Sequence, residues 1–586
     1  MFLEYIDSPA DIKKLRREDL PTLADETRDV LIDKLSNTGG HVASNLGVVE
    51  LTVALHYVFD SPRDKIVWDV SHQCYAHKIL TGRKRAYSDP AHYRDVTGFS
   101  NPKESEHDFF IIGHTATSVS LALGLAKGRD VRGEHGNIIA VIGDGALSGG
   151  EAYEGLSYAG EYGRNLIIVL NDNEQSVAEN HGGLYLGLKA LRDSGGTCGN
   201  NLFRALGLDY RYLEDGHDVQ KLAALFDSVK GIDHPIVLHI RTVKGKGLPY
   251  AEADKENWHS GSPFFRESGI PKNGYPVYDT TVHDSLIDLL ERDERAVVLT
   301  AGTPRAMGFV GAERDEWERS GRFADVGIAE ESAMTMASGI AKAGGTAVFG
   351  VYAPFLQRAY DQTSHDLCLN NNPATILVLL PGVFGMRSNT HLGLCDIQML
   401  THIPNLIYLC PATKEEYLAM FRYATTQRAH PVAIRVPPKF IASGKEDTTD
   451  YSETNRAQVV RRGTTAAIIA VGTLLPMALE AADAYHAVFG EDVTVISPRF
   501  LTGVDEPLLR SLTADHALVV TLEDGELDGG YGQRIASFYG MQNIRVRNLG
   551  ISKAFHSDFD PKTLLRENGI SAEQIFELLK EARSYQ

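Results

Sequence analysis

Two short stretches bring together residue types that can hold a phosphorylated group through a metal ion. Gly143-Asp144-Gly145 sets a carboxylate between two glycines, and Asn171-Asp172-Asn173 offers an amide oxygen. Glycines let backbone amides come close to phosphate oxygens. The Asp144 carboxylate, the Asn173 amide and a backbone carbonyl at Gln175 are hard oxygen donors. With diphosphate oxygens and a water they make up the octahedral shell that Mg²⁺ demands. Either motif alone reads as a turn after a strand. Their pairing, each at the end of an apolar run, points to a diphosphate–metal site.

The elements that must position these groups follow from the same stretch. The apolar runs 138–142 and 166–170 predict buried parallel strands, with a helix over 152–162 between them. Strand, loop, helix and strand then place both motifs at carboxyl ends of strands, where open parallel sheets bind ligands. Further runs at 65–69, 235–240, 296–300, 346–351, 375–379, 466–470, 493–496 and 517–521 predict more strands, separated by helix-like segments. The alternation gives an α/β fold of three domains with mainly parallel sheets. The expected domains are 1–270, 277–440 and 456–586, divided by a Pro- and Gly-bearing linker at 262–276 and a charged one at 443–456.

The motif pair resembles the thiamine diphosphate motif of transketolase-like enzymes. Its surroundings narrow the resemblance. Ser36-Asn37-Thr38-Gly39-Gly40-His41, Trp68-Asp69-Val70-Ser71-His72-Gln73, Glu104-Ser105-Glu106-His107-Asp108, Gly113-His114 and the run from Tyr352 to Gln362 are similar to the 1-deoxy-D-xylulose-5-phosphate synthase family, over essentially the whole chain. The resemblance implies a transketolase-like fold with a diphosphate/Mg-binding first domain, an aminopyrimidine-binding second and a C-terminal third. It implies thiamine diphosphate and Mg²⁺ as cofactors, pyruvate and an aldehyde acceptor as substrates, and a homodimer.

It also assigns residues. A carboxylic acid bonded to the aminopyrimidine drives that ring to its imino tautomer, and Phe323-Ala324-Asp325-Val326-Gly327-Ile328-Ala329-Glu330 makes Glu330 the candidate. Phe355 would stack on the pyrimidine, Val177 would be the apolar wedge, and Lys244 would lie near the diphosphate. Gly113, His114, Gly145 and Ala146 complete the expected cofactor contacts. His41, His72, His259 and His391 fall on motif positions and are expected to move protons and bind substrate, with His72 also touching the cofactor. Tyr352 and Arg358 fit acceptor binding. His56, His77, His92, His135 and His181 have no such support and read as structural or exposed.

The chain departs from the resembled family on the acceptor side. The family holds the acceptor phosphate with two arginines; here the corresponding stretches read Leu380-Pro381-Gly382 and Arg435-Val436-Pro437-Pro438-Lys439. Arg387 replaces an acidic residue before Thr390-His391, Glu330 is followed by Glu331-Ser332 in place of Gln-His, and Lys103 stands for an arginine. Arg387 and Lys439 are the candidates to hold a phosphate from new directions. Otherwise the acceptor is a different aldehyde, or the enzyme takes a ketose donor as transketolase does.

Composition narrows the remaining classes. A net charge of -19 over 586 residues disfavours nucleic acid and anionic membrane surfaces as partners. Five scattered cysteines without a CxxC predict a reducing compartment, free of disulfides and zinc. No apolar run approaches membrane-spanning length, and the first residues carry no apolar signal core, so the expectation is cytoplasmic. Four local readings complete the set. The stretch 81–107 lacks a period and reads as a mobile active-site loop. Residues 116–126 read as a helix opened by His114, with its amino end toward phosphate. Residues 46–59 read as one amphipathic helix, and 179–201 as a Gly-rich stretch, shorter than in the resembled family.

Overall fold

The computed structural model describes residues 1–275 and 278–583. The expected start of the second domain at 277 and the last three residues lie outside that range. Packing divides the chain into two compact units, one of Met1–Val277 with Gly327–Ala329, the other of Tyr278–Val326 with Glu330–Gln586.

The first unit is built on a parallel sheet of Lys65–Trp68 (β1), Ile138–Gly143 (β2), Leu166–Asp172 (β3), Asp209–Leu213 (β4) and Pro235–Arg241 (β5), in the order β1-β2-β3-β5-β4. The β2 run is apolar without alternation because helices cover both faces, and Ile138 through Ile142 are all 0% exposed. β3 runs two residues further than its apolar stretch predicts. Asn171 and Asp172 still pair with Ile240 and Arg241 of β5, so ladder bonds carry the strand past its last apolar side chain. The expected linker belongs partly to this unit: Phe264 is buried in its core and its N–H donates to the Ser36 carbonyl.

The second unit holds two sheets. One contains Ala296–Thr300 (β6), Phe323–Asp325 (β7), Thr346–Tyr352 (β8), Thr375–Leu379 (β9), Ile407–Leu409 (β10) and Val432–Val436 (β11), all parallel, in the order β10-β11-β9-β8-β6-β7. The other contains Gln458–Arg461 (β12), Thr465–Ala470 (β13), Thr494–Ser497 (β14), His516–Glu526 (β15) and Arg545–Ile551 (β16), in the order β12-β14-β13-β15-β16. Only β12 runs antiparallel, at the edge. Side chains of both sheets share one apolar cluster, including Leu299, Phe349 and Ile376 from one and Ile469, Ile496 and Val519 from the other. Among the described residues no helix is long and apolar enough to cross a membrane. All five cysteines are free thiols.

Four local expectations are corrected. The helix over 46–59 is two, Val42–Leu46 and Val49–Val58, broken at Gly47-Val48. The Gly-rich stretch after 179 contains a helix, Gly183–Asp193, whose Leu188 and Leu191 are buried. The helix expected from Ala116 begins at Ser118. The stretch 81–107 is pinned rather than loose. Lys78 Nζ meets Glu104 Oε2 at 2.5 Å, Arg83 Nη1 meets Asp108 Oδ2 at 2.7 Å, and His77 Nε2 donates to Asp108 Oδ1 at 2.8 Å. Burial alone would raise the Asp108 carboxyl; the bonds from His77 and Arg83 overcome it and hold it far below its usual range. His77 donates from Nε2, so its Nδ1 accepts, at 2.8 Å, from Nε2 of His56. Both rings are driven neutral by burial. Hydrogen bonds to a charged group contribute about 1.5–3 kcal/mol each, enough to order an aperiodic segment.

Candidate functional site

In the first unit both motifs stand at the carboxyl ends of β2 and β3. The Asp144 carboxylate is 1% exposed. Its Oδ2 accepts from the Gln175 N–H at 3.1 Å and from Asn180 Nδ2 at 2.6 Å. Its Oδ1 has no hydrogen-bond partner among the described residues, and neither does Oδ1 of Asn173. Buried oxygens are ordinarily satisfied. Two left open at the two motif positions make a donor set that suits a hard divalent cation. Burial, then the charge of Asp172, pushes the Asp144 carboxyl up to about 7. Gln175 opens a tight turn closed by a bridge to Glu179, and Val177 is half-buried within it. Gly145 packs against that turn: a Cβ there would lie 2.8 Å from the Ser176 Cβ. Ala146 is buried in the one-turn helix Gly145–Ser148.

Three of the candidate histidines gather beside this loop. The rings of His41 and His72 lie 5.1 Å apart, His72 and His259 5.1 Å, and His41 and His259 5.7 Å. Lys244 Nζ is 3.1 Å from His259 Nδ1 and donates to the Ser176 carbonyl, so one ammonium joins the histidines to the metal loop. Burial pushes His41 down to about 4, His259 well below its usual range and Lys244 down to about 7. His41 and His259 are therefore neutral, able to accept a proton or donate a hydrogen bond. Gly113 is buried and His114 half-buried in the loop before the helix Ser118–Val131. The expectation that this helix faces phosphate is corrected. Asp69 accepts from the N–H groups of Ala116 and Ser118, both at 2.9 Å, so a carboxylate already occupies its amino end.

The second unit holds the other candidates. Glu330 is the first residue of the helix Glu330–Lys342 and is 4% exposed. Its Oε2 has no hydrogen-bond partner among the described residues. Burial raises its carboxyl to about 7, against the opposing charge of Arg358. Phe355 lies edge-on to Tyr352 at 5.8 Å and to His391 at 5.5 Å. Tyr352 ends β8, and burial raises its hydroxyl to about 12. Arg387 and Lys439 are exposed. Arg435 is buried and fully engaged, with Asp396 at 2.7 Å and Asp524 at 2.5 Å.

Several positioning residues escaped sequence reasoning. Asn45, 0% exposed, donates from Nδ2 to the carbonyls of both His41 and His72 at 2.7 Å. Phe99 lies edge-on to His41 at 5.6 Å, which ties the pinned segment to the histidines. Asn180 shares the Asp144 carboxylate. None carries a local signal, because each acts on a residue brought near only by folding.

Comparison with known proteins adds three matches along the chain. A family model described as 1-deoxy-D-xylulose-5-phosphate synthase matches residues 3–197 and 194–242. The transketolase pyrimidine binding domain matches 276–440, and the transketolase C-terminal domain 455–575. The chain is 37% identical to 1-deoxy-D-xylulose-5-phosphate synthase 1 of Geobacter sulfurreducens, over 98% of this chain and 96% of that one. It is also 37% identical to the 1-deoxy-D-xylulose-5-phosphate synthase of Heliobacterium modesticaldum, over 99% and 95%. Among solved structures, transketolase from Campylobacter jejuni aligns over 97% of this chain and 100% of its own, with a TM-score of 0.44 at 15% identity.

Proposed function

The chain belongs to the 1-deoxy-D-xylulose-5-phosphate synthase family, transferases of the transketolase type, and we propose that it decarboxylates pyruvate and transfers the two-carbon unit to glyceraldehyde 3-phosphate, giving 1-deoxy-D-xylulose 5-phosphate and CO₂. The reading includes thiamine diphosphate and Mg²⁺ as cofactors and a homodimer as the working assembly. The observation that carries it is the pair of buried, unpartnered oxygens, Asp144 Oδ1 and Asn173 Oδ1. When bound, the cofactor supplies the electron sink that pyruvate decarboxylation needs.

The chain's own residues do the rest. Asp144, Asn173 and the Gln175 carbonyl hold the metal, and Gly145, Ala146 and Lys244 line the diphosphate. Val177 and Phe355 supply apolar contact. The buried Glu330 carboxyl holds a proton near neutral pH and presents it to the cofactor's ring nitrogen. The clustered histidines His41, His72 and His259 accept or return the protons exchanged as the new bond forms. His391, Tyr352 and Arg358 orient the acceptor.

One observation favours a second reading, in which the acceptor is another aldehyde. Arg435 already satisfies two buried carboxylates and has little left for a phosphate, while Arg387 and Lys439 stand exposed. A bidentate arginine is not replaced by an exposed lysine without loss. The deciding test is a product assay with purified protein, thiamine diphosphate, Mg²⁺, pyruvate and glyceraldehyde 3-phosphate, read by CO₂ release and mass spectrometry. Efficient formation of the ketose phosphate is the expected result. Pyruvate consumed without that product would move the assignment to a different acceptor.

A further inference from the structure

We infer that the third sheet is a working part of the site, with Arg435 and Asp524 acting as positioning residues for the loop that carries His391. The inference rests on the reading of His391 as a residue that meets substrate.

The loop leaves β9 at Leu380 and ends at Cys395, just before the helix Asp396–Thr401. Its neck is closed by the Gly382 N–H on the Gly393 carbonyl at 2.8 Å. Each leg of the neck is then bonded to the carboxyl end of β15. The Val383 N–H donates to the Asp524 carbonyl at 3.0 Å, and the Glu526 N–H donates to the Leu394 carbonyl at 2.9 Å. The tip is held from the same side of the chain, where the Asp558 N–H donates to the Arg387 carbonyl at 2.8 Å. His391 sits inside this frame, half-buried, with its ring 5.5 Å from Phe355.

The side chains add a charged lock. Arg435, near the end of β11, donates from Nε to Asp396 at 2.7 Å and from Nη1 to Asp524 at 2.5 Å. The Tyr408 hydroxyl donates to Asp396. One guanidinium thus ties the helix that follows the loop to the strand that holds its neck. Gly382 lies hard against this lock. A Cβ there would stand 2.3 Å from Asp524 Oδ2 and 2.9 Å from Arg435 Nη2, and its φ of +70° already favours glycine. Arg435, Asp396 and Asp524 are each at most 3% exposed. Buried ion groups of this kind contribute little net stability over apolar side chains of the same size. Their effect is to fix one geometry, and here that geometry is the seat of the His391 loop. A purely structural tie between two sheets would not need both legs of one loop and its following helix to converge on a single strand end.

The test uses Asp524→Asn, which keeps size and shape, and Gly382→Ala, which pushes the loop off the lock. The first measurement is limited trypsin proteolysis of the full chain. Arg387 is exposed in the loop, and Lys272 is exposed in the first unit, which carries neither the loop nor the lock. Each variant is expected to speed cleavage after Arg387 by about tenfold while leaving cleavage after Lys272 unchanged, because proteolysis follows the population of the opened loop. Unchanged cleavage after Arg387 overturns the proposal whether or not the protein is active. The second measurement is a double-mutant cycle in the product assay. Asp524→Asn is expected to lower kcat/KM by about 10–100-fold in the wild-type background and by less than about twofold in the His391→Ala background. Equal losses in both backgrounds would mean that the lock serves stability alone. A His391→Ala variant as active as wild type would refute the role read for His391, and the proteolysis result would still decide whether Arg435 and Asp524 hold the loop.

Discussion

Glu330→Gln is expected to lower turnover by about 10²–10⁴-fold and, at the same time, to make the cofactor-free protein more stable above neutral pH. The two effects share one cause. The carboxyl is buried at the start of a helix with one oxygen unpartnered, and its proton is held up to about 7. Glutamine keeps the size and one donor but cannot give up or take back a proton. The stability sign follows from proton linkage. The folded form holds the proton up to about 7, whereas an unfolded Glu releases it near its ordinary value, so the native state binds more protons between those limits. Stability from this site is full at low pH, falls as pH rises through that window and stays low above it. Removing the charge recovers about 1–3 kcal/mol above pH 7 and nothing near pH 4. The check is pyruvate consumption together with thermal unfolding at pH 5 and pH 8. A glutamine variant that keeps more than a tenth of wild-type turnover sinks the catalytic reading. Equal unfolding temperatures for variant and wild type at pH 8 sink the account of its burial.

Legibility from sequence followed the range of the interactions involved. Strands such as β2, β3, β9 and β15 were readable because a covered parallel sheet demands unbroken apolar runs. The motif pair was readable because its glycines and oxygens lie at the ends of those runs. The stretch 81–107 was not, because its order comes from charged contacts with no period. Lys78 and Arg83 look like ordinary surface residues, and Glu104 and Asp108, though part of a family-like stretch, show no partners until folding brings the four together. His56 and His77 were set aside for the same reason, since a buried histidine pair is visible only when the two helices meet. The start of the helix at Ser118 was missed because its cap is Asp69, far back in the chain. Arg435 was read as part of a phosphate motif, but its partners, Asp396 and Asp524, come from a different helix and a different sheet.

Asp144→Asn is expected to weaken Mg²⁺-dependent binding of thiamine diphosphate by at least about 100-fold, since even an indirect partner of a metal ligand is worth 10–100-fold. Calorimetric titration of the cofactor, with and without Mg²⁺, reads this directly and does not depend on turnover. The argument turns on which oxygen is open. Oδ2 is used by the Gln175 N–H and by Asn180 Nδ2, which fix the carboxylate's plane. Oδ1 is left without a hydrogen-bond partner among the described residues, and Asn173 Oδ1 is in the same condition. Such an arrangement is costly in the empty protein, where burial and the nearby Asp172 raise the carboxyl to about 7. A hard cation would relieve that cost by neutralising the charge, with Asp144 and Asn173 as the residues that would hold it. Asparagine keeps an oxygen but loses the charge, so it separates electrostatic holding from simple geometry. The cofactor-free Asp144→Asn protein is expected to unfold at a higher temperature than wild type at pH 8, and added Mg²⁺ with thiamine diphosphate is expected to raise the wild-type temperature past it. Cofactor affinity unchanged by the substitution would remove Asp144 from the metal site. A drop in affinity without the apo stabilisation would mean that the carboxylate is satisfied some other way and that the open oxygen does not define the site.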